Sequence, residues 1–199
     1  MAARCTTASN LRLRMTAASG SLRDAIDARI RAALPGDKGA IASALITGKR
    51  DALIEVLKRV NVAFMNDAEI RQLTGETNLA RAAAKVHDLG PSHVIVKKGE
   101  HGAVMYCSGT VCFMAASYPL TDIADPTGAG DSFAGGFMGH IARTGDLSEP
   151  NLRRAVIYGS TLASFNVQDF SLNRFKRLTV KEIDERYEEF RRIVHFDPL

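Results

Sequence analysis

The sequence contains no apolar run approaching the ~18 residues that a membrane-spanning helix needs, which predicts a soluble chain without a membrane partner. Cysteine is scarce. Cys5, Cys107 and Cys112 form an odd set with no CxxC pair, which argues against both a disulfide framework and a zinc site. Cys107 and Cys112 flank "SGTV" and can face each other on a hairpin. They are expected to be reduced strand residues in a reducing, cytoplasmic compartment. The five histidines (His87, His93, His101, His140, His195) lack ligand spacing, so none is expected to bind metal. Familiar phosphate motifs are missing too. "ALITGKR" lacks the first glycine and the hydroxyl residue of GxxxxGK[ST], and Phe133 stands where GxGxxG needs its third glycine. "QDFS" is not the metal-binding DFG of protein kinases.

Acidic residues are absent from the first 23 positions, which hold four arginines and many Ser, Thr and Ala. That composition fits a disordered tail, with an organelle transit peptide as the alternative. Residues 1–50 carry nine Lys/Arg against three acids, net +6; the rest of the chain carries 17 bases and 19 acids, net −2. The overall pI of 9.1 is therefore no evidence of nucleic-acid binding by the main body, and no such partner is expected there. A membrane or nucleic-acid role, if any, would belong to the basic leader.

Periodicity supplies the fold class. Residues 22–50 read as helical, with Ile26, Ile30 and Leu34 on one stripe and a stop at Pro35-Gly36. Beyond residue 50 the pattern alternates. "NVAFM" is a short strand, Asn66-Asp67 opens a helix, and "NLARAAAKVHDLG" is a second helix. "SHVIVKKG" has the apolar, β-branched centre of a strand buried on both faces. "GAVMYCSGTVCFMA" reads as a hairpin around Ser108-Gly109, followed by a short strand near Asp122–Ala124. Two long helices close the chain. The last starts with a Thr179/Glu182 capping box and is expected to bury Val180, Ile183, Tyr187, Phe190 and Val194. Strands alternating with helices predict an α/β layered fold with a mostly parallel sheet.

Chemistry concentrates in "IADPTGAGDSFAGGFMG". An extended run enters a glycine turn and then a helix whose first N–H groups have no partner within it, an arrangement that attracts anions. Gly128, Ala129 and Gly130 carry little bulk, so phosphate could approach the backbone closely. Asp131 would repel that phosphate unless it has another task, such as taking a proton from an attacking hydroxyl. From the turn alone, a simple helix-capping role for Asp131 remains equally open. Gly135, Gly136 and Gly139 leave one helix face nearly bare, as tight packing against a sheet would require.

"DPTGAGDSFAGGF" resembles the C-terminal signature of the ribokinase-like (PfkB-type) carbohydrate and nucleoside kinases. "NDAE", Asn66 to Glu69, resembles the N-x-x-E motif of that family, and "VIVKKGEHGAVMY" the strand and Gly-x-x-Gly turn along its nucleotide. The resemblance covers about residues 51–199, including the small-residue helix from Ala155 to Val167. It implies a ribokinase-like α/β/α fold and ATP-dependent phosphorylation of a hydroxyl on a sugar or nucleoside. Asp131 would be the general base, and the amides of Gly128, Ala129 and Gly130 the anion hole. Glu69, with Asn66, would act through Mg2+. Asp125 and Thr127 would hold a monovalent cation, and Gly99 and Gly102 would border the nucleotide. Lys97 stands where the family commonly has a hydroxyl residue; phosphate contact and solvent exposure are both open to it. Asn66 and Glu69 also read as a helix N-cap pair.

Nothing before residue 51 resembles the N-terminal half of such kinases, which supplies the acceptor pocket. Residues 28–53 are weakly similar instead to a stretch of competence-type DNA-uptake membrane proteins. Residues 1–50 are therefore expected to be a foreign segment and 51–199 a kinase part, truncated relative to the family. An unpaired sheet edge would allow a homodimer. The alternative function is a catalytically silent nucleotide-binding or interaction fragment.

Overall fold

A computed structural model describes residues 50–195, together with Arg29, Ala32, Ala33 and Asp197. The basic leader and the helices expected over 22–49 lie outside the described residues, those three helical positions apart. The chain divides into two compact units, Met1–Val60 and Asn61–Leu199. Helix α1, Arg50–Leu57, belongs to the first.

The second unit opens with β1, Val62–Asn66, whose burial alternates as a strand covered mainly on one face should. Asn66 ends the strand and caps α2, Asp67–Thr74, which Gly75 terminates with φ 73°. Asn78 caps α3, Leu79–His87, by accepting the N–H groups of Ala80 and Arg81. The crossover through α2 and α3 returns the chain to β2, His93–Lys97, parallel to β1. Val94, Ile95 and Val96 have no exposed surface, as expected for a strand buried on both faces. A 3₁₀ turn, Gly99–His101, leads into β3, Ala103–Cys107, and β4, Thr110–Ala115. Then follow α4, Ala129–Thr144, α5, Glu149–Asn166, and α6, Val180–Val194.

The sheet order is β1-β2-β3-β4. Among the described residues, parallel pairing is confined to β1 and β2, because only that link contains helices long enough to reverse the chain; short turns make the other two pairs antiparallel. Ile95 and Met105 pack with Phe133, Phe137, Val156 and Phe190 from α4, α5 and α6. Val94 and Val96 face the other way, toward the layer of α2 and α3, so the sheet lies between two helical layers.

Four expectations are corrected. Cys107 and Cys112 are joined by a disulfide, with Cα atoms 5.8 Å apart. A register shift at Met105/Tyr106 makes Cys112 an extra residue on β4, and this turns its side chain to the face occupied by Cys107. Residues 122–124 form no strand, since the Ala124 N–H donates to the Val167 carbonyl at the end of α5 (2.8 Å) rather than to a strand neighbour. On α6 only Phe190 is buried; Ile183 and Tyr187 are half-buried, while Val180 and Val194, at the two ends, are 68% and 45% exposed because the helix overruns the core. Finally, the bare face of α4 meets a helix, not the sheet. A methyl at Gly136 would lie 2.7 Å from the Tyr158 carbonyl oxygen, and one at Gly159 would lie 2.8 Å from that of Phe133, so α4 and α5 touch backbone to backbone. Gly135 and Gly139 face open space.

Candidate active site

Asn66 and Lys97 end two adjacent parallel strands, the position at which open α/β sheets bind ligands. A cavity of about 790 Å³ opens there. Its walls are the Gly99–Gly102 turn, residues 117–120, the start of α4 and the small side chains Ser160, Ala163 and Ser164 of α5. That volume suits a nucleotide-sized ligand. Gly102 is required on its own account: at φ 82° a side chain would be strained, and its Cβ would fall 2.0 Å from the Ala115 carbonyl oxygen. Gly99 also has positive φ, 56°, and lines the same cavity.

The glycine turn is formed as the sequence implies. Gly128 takes φ 82° and is the N-cap of α4, with no side chain capping the helix. The N–H groups of Gly128 and Gly130 have no hydrogen-bond partner among the described residues, whereas Ala129 donates a long bond to the Pro126 carbonyl (3.3 Å). Asp131 lies in the first helical turn, exposed, and its carboxylate accepts no hydrogen bond among the described residues. The capping bond that would make it purely structural is therefore not formed. Asp131 borders a second, smaller cleft of about 360 Å³, shared with Asp125, Thr127 and Gly128 on the far side of the turn.

Asp125 accepts the Thr127 N–H at 2.9 Å. Hydrogen bonds from Thr127, and then from the Ser171 backbone, hold its carboxyl below the usual range. Asn66 and Glu69 form a reciprocal capping box: the Glu69 N–H donates to Asn66 Oδ1 and the Asn66 N–H to Glu69 Oε2, each at 2.7 Å. Asn66 lines the larger cavity, while Glu69 is exposed beside it and does not. Lys97, half-buried, extends over Gly130.

One organising residue carries no sequence signal. Asn166, 2% exposed at the end of α5, donates from Nδ2 to the Thr127 carbonyl (2.8 Å) and accepts the Ser132 hydroxyl at Oδ1 (2.6 Å). It pins both ends of the glycine turn. A polar residue ending a long helix reads as a surface group, and only the tertiary fold buries it.

The model of the pfkB family of carbohydrate kinases matches residues 6–176. This chain belongs to that family. The match enters the segment 1–50 for which no kinase likeness was expected. The chain is similar to a cytidine kinase of Thermococcus kodakarensis, 37% identical over 101 residues, which cover 51% of this chain and 36% of that protein. Among solved structures it resembles the nucleoside kinase of Methanocaldococcus jannaschii, with TM-score 0.57 and 26% identity over 71% of this chain and 44% of that one. It also resembles Salmonella enterica aminoimidazole riboside kinase complexed with aminoimidazole riboside and an ATP analogue, TM-score 0.57, covering 71% of this chain and 45% of that one. At 20% identity the latter shows the fold alone. The chain thus spans about a third of the length of the cytidine kinase it matches.

Proposed function

We propose that this pfkB-family chain binds ATP in the larger cavity and transfers its terminal phosphoryl group to a hydroxyl of a sugar or nucleoside. The observation that carries the reading is the turn itself: N–H groups on Gly128 and Gly130 followed at once by the Asp131 carboxylate, all without a hydrogen-bond partner among the described residues. The amides of Gly128, Ala129 and Gly130 would hold phosphate oxygens, with Ala129 exchanging its long bond to Pro126 for a charged acceptor. Asp131, across the turn, would take the proton of the acceptor hydroxyl. Gly99, Gly102 and the small residues of α5 would border the nucleotide, with Asn66 at its phosphate end.

The residues fit a sparsely ligated Mg2+. No group of three His, Cys, Asp or Glu side chains converges among the described residues, and Glu69 retains Oε1 outside its cap. Magnesium commonly keeps several waters and takes one or two carboxylates beside substrate phosphates, so Glu69 suits a contact through water. When bound, the ion neutralises phosphate charge. Asp125 and Thr127, on the second cleft, would hold a monovalent cation. The cytidine kinase and nucleoside kinase relatives support a small hydroxylated acceptor.

Asp131→Asn tests the reading. With a panel of sugars and nucleosides, transfer should fall by roughly a hundredfold or more, while ATP affinity by calorimetry stays near the wild-type value. Transfer that survives the substitution removes Asp131 from the role of base. ATP binding without transfer in the wild type would favour the silent nucleotide-binding reading.

A further inference from the structure

Lys97 ends β2 and reaches over the first turn of α4, where a methyl group at Gly130 would lie 2.6 Å from its Nζ. The side chain is half-buried and lines the larger cavity. Neither an ion pair nor a hydrogen bond engages it among the described residues; in particular it does not pair with Asp131, which borders the other cleft. Gly130, whose N–H has no partner among the described residues, lies close beneath it at the positive end of a 16-residue helix. An ammonium set against a helix N-terminus is repelled by it, unless an anion lies between the two. A dianionic phosphoryl group would turn that repulsion into two attractions at once.

We infer that Lys97 is a catalytic residue of the phosphotransfer proposed above, donating from Nζ to a non-bridging oxygen of the terminal phosphoryl group of ATP while the Gly130 N–H donates to the same group. The inference rests on that reading and adds to it the identity of the phosphate that Lys97 touches. Gly130 adjoins Asp131, so the group held at Gly130 is the one that meets the deprotonated acceptor. In the step, the acceptor oxygen forms a bond to the γ-phosphorus, and its proton passes to Asp131. The bond from that phosphorus to the β,γ-bridging oxygen breaks, and its electron pair leaves with ADP. The Lys97 side chain follows the oxygens of the moving group. The ammonium thus supplies a full positive charge where a hydroxyl residue would give only a dipole.

The test uses the full chain, with Lys97→Met and Lys97→Arg variants titrated with ATP, ADP and AMP by calorimetry. Lys97→Met should weaken ATP by roughly tenfold to a hundredfold, leave AMP unchanged, and lower kcat more than it raises KM. Lys97→Arg should recover part of the ATP affinity. Wild-type ATP affinity in Lys97→Met, or an equal loss for ATP and AMP, overturns the inference while leaving the nucleotide site intact. A wild-type chain that binds no adenine nucleotide refutes the functional reading itself, and the inference with it. Asp131→Asn that still transfers phosphate refutes only the base.

Discussion

Gly102 and Gly135 would place an added methyl group in opposite circumstances. At Gly102 the methyl meets the backbone of Ala115 and the residues after it, at a φ that side chains avoid, so relief would require moving the main chain. Gly102→Ala should cost about 2 kcal/mol or more. At Gly135 the methyl points into open space from a helix interior, where alanine outranks glycine. Gly135→Ala should stabilise the protein by up to about 1 kcal/mol. Urea unfolding of the two variants beside wild type checks both signs. The same scale shows what the sequence could disclose. The place of Asp131 in the first turn after the glycine turn was legible because the strand-to-helix glycine pattern is local. The direction of the Lys97 side chain was left open, since whether a strand-end lysine faces solvent or a neighbouring helix depends on how α4 docks. Asn166 was invisible for a similar reason: its two partners lie 39 and 34 residues away.

The elements whose ends are set by local chemistry match their expected places well, and α6 shows why. Thr179 accepts the Glu182 N–H, and Glu182 accepts that of Thr179, the reciprocal pair that the Thr-x-x-Glu spacing announces. Thr179→Ala should cost about 1 kcal/mol, measured by thermal or urea unfolding. Glu182 also meets Arg174 at 2.6 Å, and that hydrogen bond, followed by those from Thr179, holds its carboxyl down at about 2. Because the folded-state value lies below the unfolded one, the ionised carboxylate stabilises the fold above about pH 4.5, and this is lost as pH falls toward 2. Wild type should therefore be more stable than Glu182→Gln at neutral pH, with the gap closing in acid; a pH-independent gap would contradict the assignment. What failed at this scale was orientation. Helical spacing marked one apolar stripe on α6, yet which turns of it reach the core depends on the helix's overhang. The glycines of α4 likewise announced close packing, while only the fold decides that α5 is the partner.

The disulfide acts at the scale of the whole molecule, since a cross-link restricts the unfolded chain as well as the hairpin. Its two cysteines are five positions apart, so loop closure is worth only about 2 kcal/mol. Reduction, or Cys112→Ser, should lower global stability by about that amount and leave the far-UV circular dichroism unchanged. Cysteine count pointed to free thiols because the bulge that aligns the two sulfurs is a property of strand pairing. The layered α/β class, by contrast, was legible, because alternation of strand and helix periods is spread along the sequence and survives errors at any one element. Asn166 has a wider meaning in this setting. By fastening both shoulders of the glycine turn to the tail of an 18-residue rod, it lends that turn the stiffness of the rod. The turn's shape would then owe little to its own composition, and a single uncharged amide would determine how firmly that shape is kept.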